Sequence, residues 1–129
     1  MGDTFNMSGN FRGAILNINS TLKNVQQSVG DIHTDDEATR DELKRLIEQL
    51  NQALQKAPPE KKEEVEAVAE TTKSLIDQAK SEKPNKTMIQ ITGEGLKQAA
   101  QNLAEVLPTV MTIASQIVVT VVKLTSGIR

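Results

Sequence analysis

The sequence predicts an all-α fold, a bundle of four to five helices with a charged central αα-hairpin and apolar terminal helices. Three observations lead there. Apolar residues recur at spacings of three and four along most of the chain, the period of one helix face. Residues 31–86 carry 24 of the 32 charged side chains, whereas the first 30 carry three and residues 87–129 carry five. The periodic stretches are separated by helix breakers: Gly30, the pair Pro58-Pro59, Pro84 and Pro108. At 129 residues the chain suits a single domain, residues 1–129, since two cores of half this size would bury too little surface to fold.

The opening "MGDTFNMSGN" is rich in residues that favour turns, and a flexible or extended arm is expected over residues 1–10. From there Phe11, Ile15, Ile18, Leu22, Val25 and Val29 follow spacings of four, three, four, three and four, a heptad seam closed by Gly30. The spacing predicts a coiled-coil-like helix over 11–29. Asn6, Asn10, Asn17 and Asn19 interleave with its first half, so residues 3–18 remain open to helix, strand or disorder.

The motif "TDDE", Thr34 to Glu37, reads as a capping box with Thr34 at the N-cap, and Asp35 and Asp36 suit the positive end of the helix dipole. Leu43, Leu46, Ile47, Leu50 and Leu54 then form one apolar stripe on a charged cylinder, a helix over 34–56. After Pro58-Pro59 a second stripe, Val65, Val68, Ala69, Thr72, Leu75, Ile76 and Ala79, predicts a helix over 59–82. The short connection makes the two an αα-hairpin whose apolar edge the rest of the chain must cover. A fourth helix, 88–107, places Leu96, Ala99, Ala100, Leu103 and either Val106 or Leu107 inward; Gly93 and Gly95 leave its start open, and "TGEG", Thr92 to Gly95, is at most a helix entry signal. Pro108 either kinks this helix or begins a new one.

The last segment is the most informative. Eleven of the 17 residues from Thr109 to Thr125 are β-branched, which favours a strand on propensity. The polar positions decide otherwise. Thr109, Thr112, Gln116, Thr120 and Lys123 are spaced three, four, four and three apart, one stripe on a helix and both faces of a strand. The remaining surface is apolar: Val110, Met111, Ile113, Ile117, Val118, Val121 and Leu124. These seven are the candidate membrane or oligomer contacts of a helix over 109–125. The uncharged run Val106 to Val122 is 17 residues, the lower end of the ~17–25 needed to span a bilayer. Bundle core, subunit seam and membrane all remain open for it.

Catalytic chemistry is poorly provided for. There is no cysteine, and the only histidine, His33, has Asp31, Asp35 and Asp36 nearby without the spacing of a calcium loop or the second histidine of a zinc site. Glu63 and Glu64 sit on a solvated, Lys-rich face where nothing raises a carboxyl pKa. Thr92 to Gly95 lacks the lysine and preceding strand of a phosphate loop. We expect no enzyme, no metal, no cofactor and no small-molecule substrate. A net charge of -2 and two aromatic residues, Phe5 and Phe11, argue against nucleic acid. The N-terminus has no basic segment followed by an apolar run, so a cytoplasmic protein is expected, membrane-associated on activation.

The stretch "FNMSGNFRGAILNI", Phe5 to Ile18, resembles the amyloid-signalling motifs of microbial immune systems. A small helical bundle with one uncharged helix likewise resembles the HeLo and Bell-type domains that accompany such motifs. The resemblance implies a self-assembling protein, triggered by a partner, whose hydrophobic helix enters a membrane. Taken with the residues, it gives the expected function: a non-enzymatic self-association or interaction protein with a conditionally membrane-active C-terminal helix. Its expected partners are a second copy, another helical protein, or membrane lipid. The alternative is a soluble structural or adaptor bundle in which that helix is ordinary core.

Overall fold

The computed structural model describes the backbone of residues 2–126 and the side chains of residues 11–125. Five helices follow one another: α1 (Gly2–Ser28), α2 (Glu37–Leu54), α3 (Lys62–Ala79), α4 (Lys86–Gln101) and α5 (Pro108–Ser126). Short 3-10 turns at Val29–Asp31 and Pro59–Lys61 lead out of α1 and into α3. Among the described residues there is no strand, and the all-α bundle is as the sequence indicates.

The heptad seam of α1 faces inward. Ile18, Leu22, Val25 and Val29 are buried, Phe11 and Ile15 are half-buried, and Ala14 shares the inner face. The backbone is already helical from Gly2, where the sequence placed coil to residue 10 and a helix from 11. Once the seam has nucleated a helix, each further residue adds one hydrogen bond, so extension needs no strong helix formers. Side chains 1–10 lie outside the described residues.

The connector between α1 and α2 is fastened from α2. Arg40 donates through Nη2 to the carbonyls of Ile32 (2.9 Å) and Thr34 (2.6 Å), which holds Ile32 in the core at 2% exposure. The N-cap is Asp36, not Thr34. Its carboxylate accepts from the amide of Thr39 (3.0 Å) and from the Thr39 hydroxyl (2.6 Å), while the Thr34 hydroxyl accepts from the amide of Asp36 (3.2 Å). The capping-box reading therefore starts two residues early, because a carboxylate accepting two bonds outcompetes a single hydroxyl.

The apolar stripes of α2 and α3 are buried as their periodicity requires. Their arrangement differs from a hairpin packed on itself. α1 packs against both α2 and α3, α5 packs against α2 and α4, and α4 packs against α3; α2 and α3 do not lie alongside each other. Round the bundle the order is α1, α2, α5, α4, α3. The stripe of α2 spans Leu43, Leu46, Ile47, Leu50, Asn51 and Leu54, wide enough to take α1 on one flank and α5 on the other. The connection 55–61, with Ala57 buried, is long enough to let the chain step past α1.

Among the described residues, a polar contact crosses the seam between α1 and α2. Asn51, 8% exposed, donates through Nδ2 to Oδ1 of Asn19 (2.7 Å) and accepts from Nε2 of Gln55 (3.1 Å). The Asn51–Asn19 bond favours one register of two otherwise apolar faces, because sliding either helix by a turn removes it and leaves Asn51 only Gln55 of its own segment.

The α2 cap makes the fold pH-sensitive in a defined direction. The Asp36 carboxyl is held below the usual carboxylate range, first by the Thr39 hydroxyl, then by the Thr39 amide, with Lys123 of α5 adding to it. A lowered folded-state pKa means the charged group stabilises the fold fully above the ordinary carboxylate value of about 3.9, and that contribution is lost as pH falls through the lowered value. In urea unfolding, the stability difference between the wild type and Asp36→Ala should therefore be largest near about pH 6 and shrink toward about pH 2.5; a difference independent of pH would show that the ionised cap contributes nothing.

Candidate functional site

The apolar helix α5, whose one charge is Lys123 in its last turn, is the part of the molecule least like the rest, and the site is the seat that holds it. Pro108 starts it. With a fixed φ and no amide, proline suits a first helical position, and here α4 ends at Gln101, turns fill 102–106, and α5 begins anew. The turn bonds are local: Leu103 N–H to Ala100 (3.0 Å), Val106 N–H to Leu103 (3.1 Å) and Leu107 N–H to Leu103 (2.7 Å). Leu107 is the half-buried residue of the connector, and Val106 is 43% exposed.

Of the seven candidate contact residues, Val110, Ile117, Val118, Val121 and Leu124 are buried inside this one chain, and Met111 and Ile113 are partly buried against the same core. Ala114, which the sequence reading passed over, is fully buried with them. The polar stripe divides. Thr109, Thr112 and Gln116 are exposed, whereas Thr120 is 5% exposed. Gln116 and Thr120 line a cleft with Glu42 of α2, so the stripe runs along the α2 side of α5, and Lys123 continues it toward Asp36. A helix with a polar edge beside a charged neighbour and an apolar flank over the core is the pattern the spacing described.

The two buried hydroxyls of α5, Thr120 and Thr125, are satisfied within α5. Thr120 donates to the carbonyl of Gln116 (2.7 Å) and Thr125 to that of Val121 (2.9 Å), the back-bonding that lets threonine sit in a helix without an outside partner. On the other flank α4 comes unusually close. A Cβ on Gly93 would lie 2.9 Å from Cγ1 and 3.8 Å from Cβ of Val118. Gly93 and Gly95 therefore lie in the middle of α4, not at its start, which is at Lys86 with Asn85 as the N-cap (Met88 N–H to Asn85 Oδ1, 3.0 Å). Helix α4 carries a glycine at 93 so that α5 can sit against its backbone. Nothing local in "TGEG" announces this, because the reason is on another helix.

Outside the contact line a groove of about 490 Å³ runs between α4 and α5, walled by Ile89, Val118, Val119 and Val122 and rimmed by Lys86, Gln90, Glu94 and Lys97. Val119 is 63% and Val122 46% exposed, and together they make the outward apolar ridge of α5. The stretch Pro108–Thr125 is long and apolar enough to cross a membrane, with a mean hydropathy of 1.4 and 44% of it buried. Burying Val110, Ile117, Val121 and Leu124 is worth about 1.5–3 kcal/mol each, so releasing α5 into water forfeits roughly 6–12 kcal/mol, comparable with the ~5–15 kcal/mol stability of a whole domain. The helix leaves its seat only for a place that covers it as well.

Elsewhere the chemistry is sparse. His33, Asp31 and Asp35 are exposed on the connector, and among the described residues no group of three or more histidine, aspartate or glutamate side chains gathers where it could hold a metal ion. Comparison of the chain with protein-family models, characterised proteins and solved structures finds no match.

The two glycines of α4 make opposite predictions. At Gly95 a Cβ meets only Thr71 Cγ2 at 3.6 Å, ordinary contact, so Gly95→Ala should stabilise the protein by about 0.5–1 kcal/mol through helix propensity. Gly93→Ala should destabilise it by about 1–3 kcal/mol through overpacking against Val118. Thermal or urea unfolding of the two variants checks both; equal shifts would mean that α5 does not rest on the α4 backbone at residue 93.

Proposed function

We propose that this chain is a non-enzymatic self-association protein that stores a membrane-active helix, α5, within a soluble helical body. The observation that carries the reading is the character of α5 itself. It is an 18-residue apolar stretch whose one charge, Lys123, lies near its end, whose buried hydroxyls are already bonded to its own backbone, and whose ridge Val119 and Val122 is left uncovered. In hydrocarbon every polar group needs an internal partner. Thr120 and Thr125 meet this condition before the helix leaves the bundle, which lowers the barrier to placing that face in lipid. The resemblance to HeLo and Bell-type domains points the same way, with a cytoplasmic resting state and recruitment to lipid on activation.

A soluble adaptor bundle is the competing reading, and the complete burial of Val110, Ile117 and Val121 favours it. The exposed ridge separates the two. Val118 is unsuitable as a probe because it is core, and a charge there unfolds the protein under either reading. Val119→Asp places the charge on a solvated position, where the unfolding midpoint should change by no more than about 0.5 kcal/mol. At the middle of a spanning helix the same charge costs about 2.5–3.5 kcal/mol.

With vesicles of anionic and of neutral lipid, the wild type should float with lipid and release trapped dye, and Val119→Asp should lose most of that release while keeping its helical circular dichroism. Wild-type protein that leaves both vesicle types intact overturns the membrane reading and leaves the adaptor.

A further inference from the structure

We propose that α5 is an exchangeable element: two copies of this chain trade α5 helices, each docking in the seat between α2 and α4 of the other copy. This deepens the self-association reading above and rests on it. The argument starts from the cost of leaving. The inner face of α5 is so fully buried that release into water is nearly as unfavourable as unfolding the domain, whereas the same helix from a second copy meets an identical seat and recovers every contact. The occupant is specified by the seat. Gly93 admits the backbone-close approach of Val118, and Gln116 and Thr120 line a shallow cleft with Glu42; α5 of a second copy matches both.

The connector is suited to opening. From 102 to 107 its backbone bonds all reach back three or four residues, and Asn102 has helical dihedrals, φ -65° and ψ -17°. Turning this corner into a continuation of α4 thus requires few changes, concentrated at the approach to Pro108, where the ring removes one amide and clashes with the carbonyl four residues back. Straightening it carries α5 away from its own α4. Proline at 108 opposes the straightened form and keeps the closed form dominant at low concentration.

The test uses the absence of cysteine from the chain. A Cβ at 93 lies 3.8 Å from Cβ of Val118, the usual separation in a disulfide, so the double variant Gly93→Cys/Val118→Cys reports which chain's α5 sits on a given α4. Circular dichroism of the reduced protein establishes that it folds, and light scattering of the unmodified chain establishes whether it self-associates. After oxidation, the dimer fraction should run as a disulfide-linked dimer on a non-reducing gel, in a proportion that rises with protein concentration, and as a monomer once reduced. Adding Pro108→Ala should raise that proportion several-fold at equal concentration.

A second measurement needs no cysteine: dimer isolated from the unmodified chain should dissociate on dilution as slowly as α5 leaves a core. Intrachain disulfide alone in a chain that does self-associate, or dimer that dissociates at once on dilution, overturns the exchange and leaves self-association standing. A chain that stays monomeric at every concentration overturns both.

Discussion

A largely apolar helix made mostly of β-branched residues has to be covered, and covering it organises the other four. α5 is too apolar to lie on a surface and too weak a helix former to persist alone, so it needs a neighbour on each flank. α2 supplies one flank and α4 the other. That leaves α2 and α3, neighbours in sequence, on different sides of the bundle, with α1 bridging them. The expected two-helix hairpin gives way to an arrangement in which α1 packs against both α2 and α3, and the outer flanks of these two meet α5 and α4.

Polar groups are placed so that the apolar contacts have a single solution. Asn51 meets Asn19 across the α1/α2 seam, Arg40 fastens the connector through two carbonyls, and Asp36 caps α2 with Lys123 of α5 nearby. The Asn51–Asn19 bond and the two Arg40 Nη2 bonds form in one register only, while the Asp36 cap is local to α2. Leu, Val and Ile faces would tolerate a shift of one turn; an unpaired buried amide or a half-made guanidinium contact would not. The buried threonines of α5, Thr120 and Thr125, obey a different rule, since their hydroxyls bond within their own helix.

That contrast bears on function. α1 is registered on α2 by the Asn19–Asn51 bond, whereas α5 is seated mainly by burial and by shape at Gly93, with Lys123 the charged contact that points its end toward Asp36. Burial is non-directional and is equally well provided by the native seat, by the same seat in a second copy, or by hydrocarbon. A helix retained mainly by burial is one whose location depends on which apolar surroundings are on offer. The storage and exchange proposals both follow from this property.

Much of the fold was legible in the residues. The stripes of α2 and α3, the inward seam of α1 from Ile18 to Val29, and the helical reading of residues 109–125 against their strand propensity all follow from spacing, because a helix face repeats every 3.6 residues whatever it packs against. What escaped the sequence was relational. The N-cap at Asp36 rests on which of two neighbouring acceptors wins the Thr39 amide. The glycine at 93 has its reason in Val118, on another helix, and Asn51 has its reason in Asn19, 32 positions away. Periodicity marks which side of a helix turns inward, but it is blind to which helix waits there; that choice was made by the competition among five apolar faces for one another, and only the folded chain records its outcome.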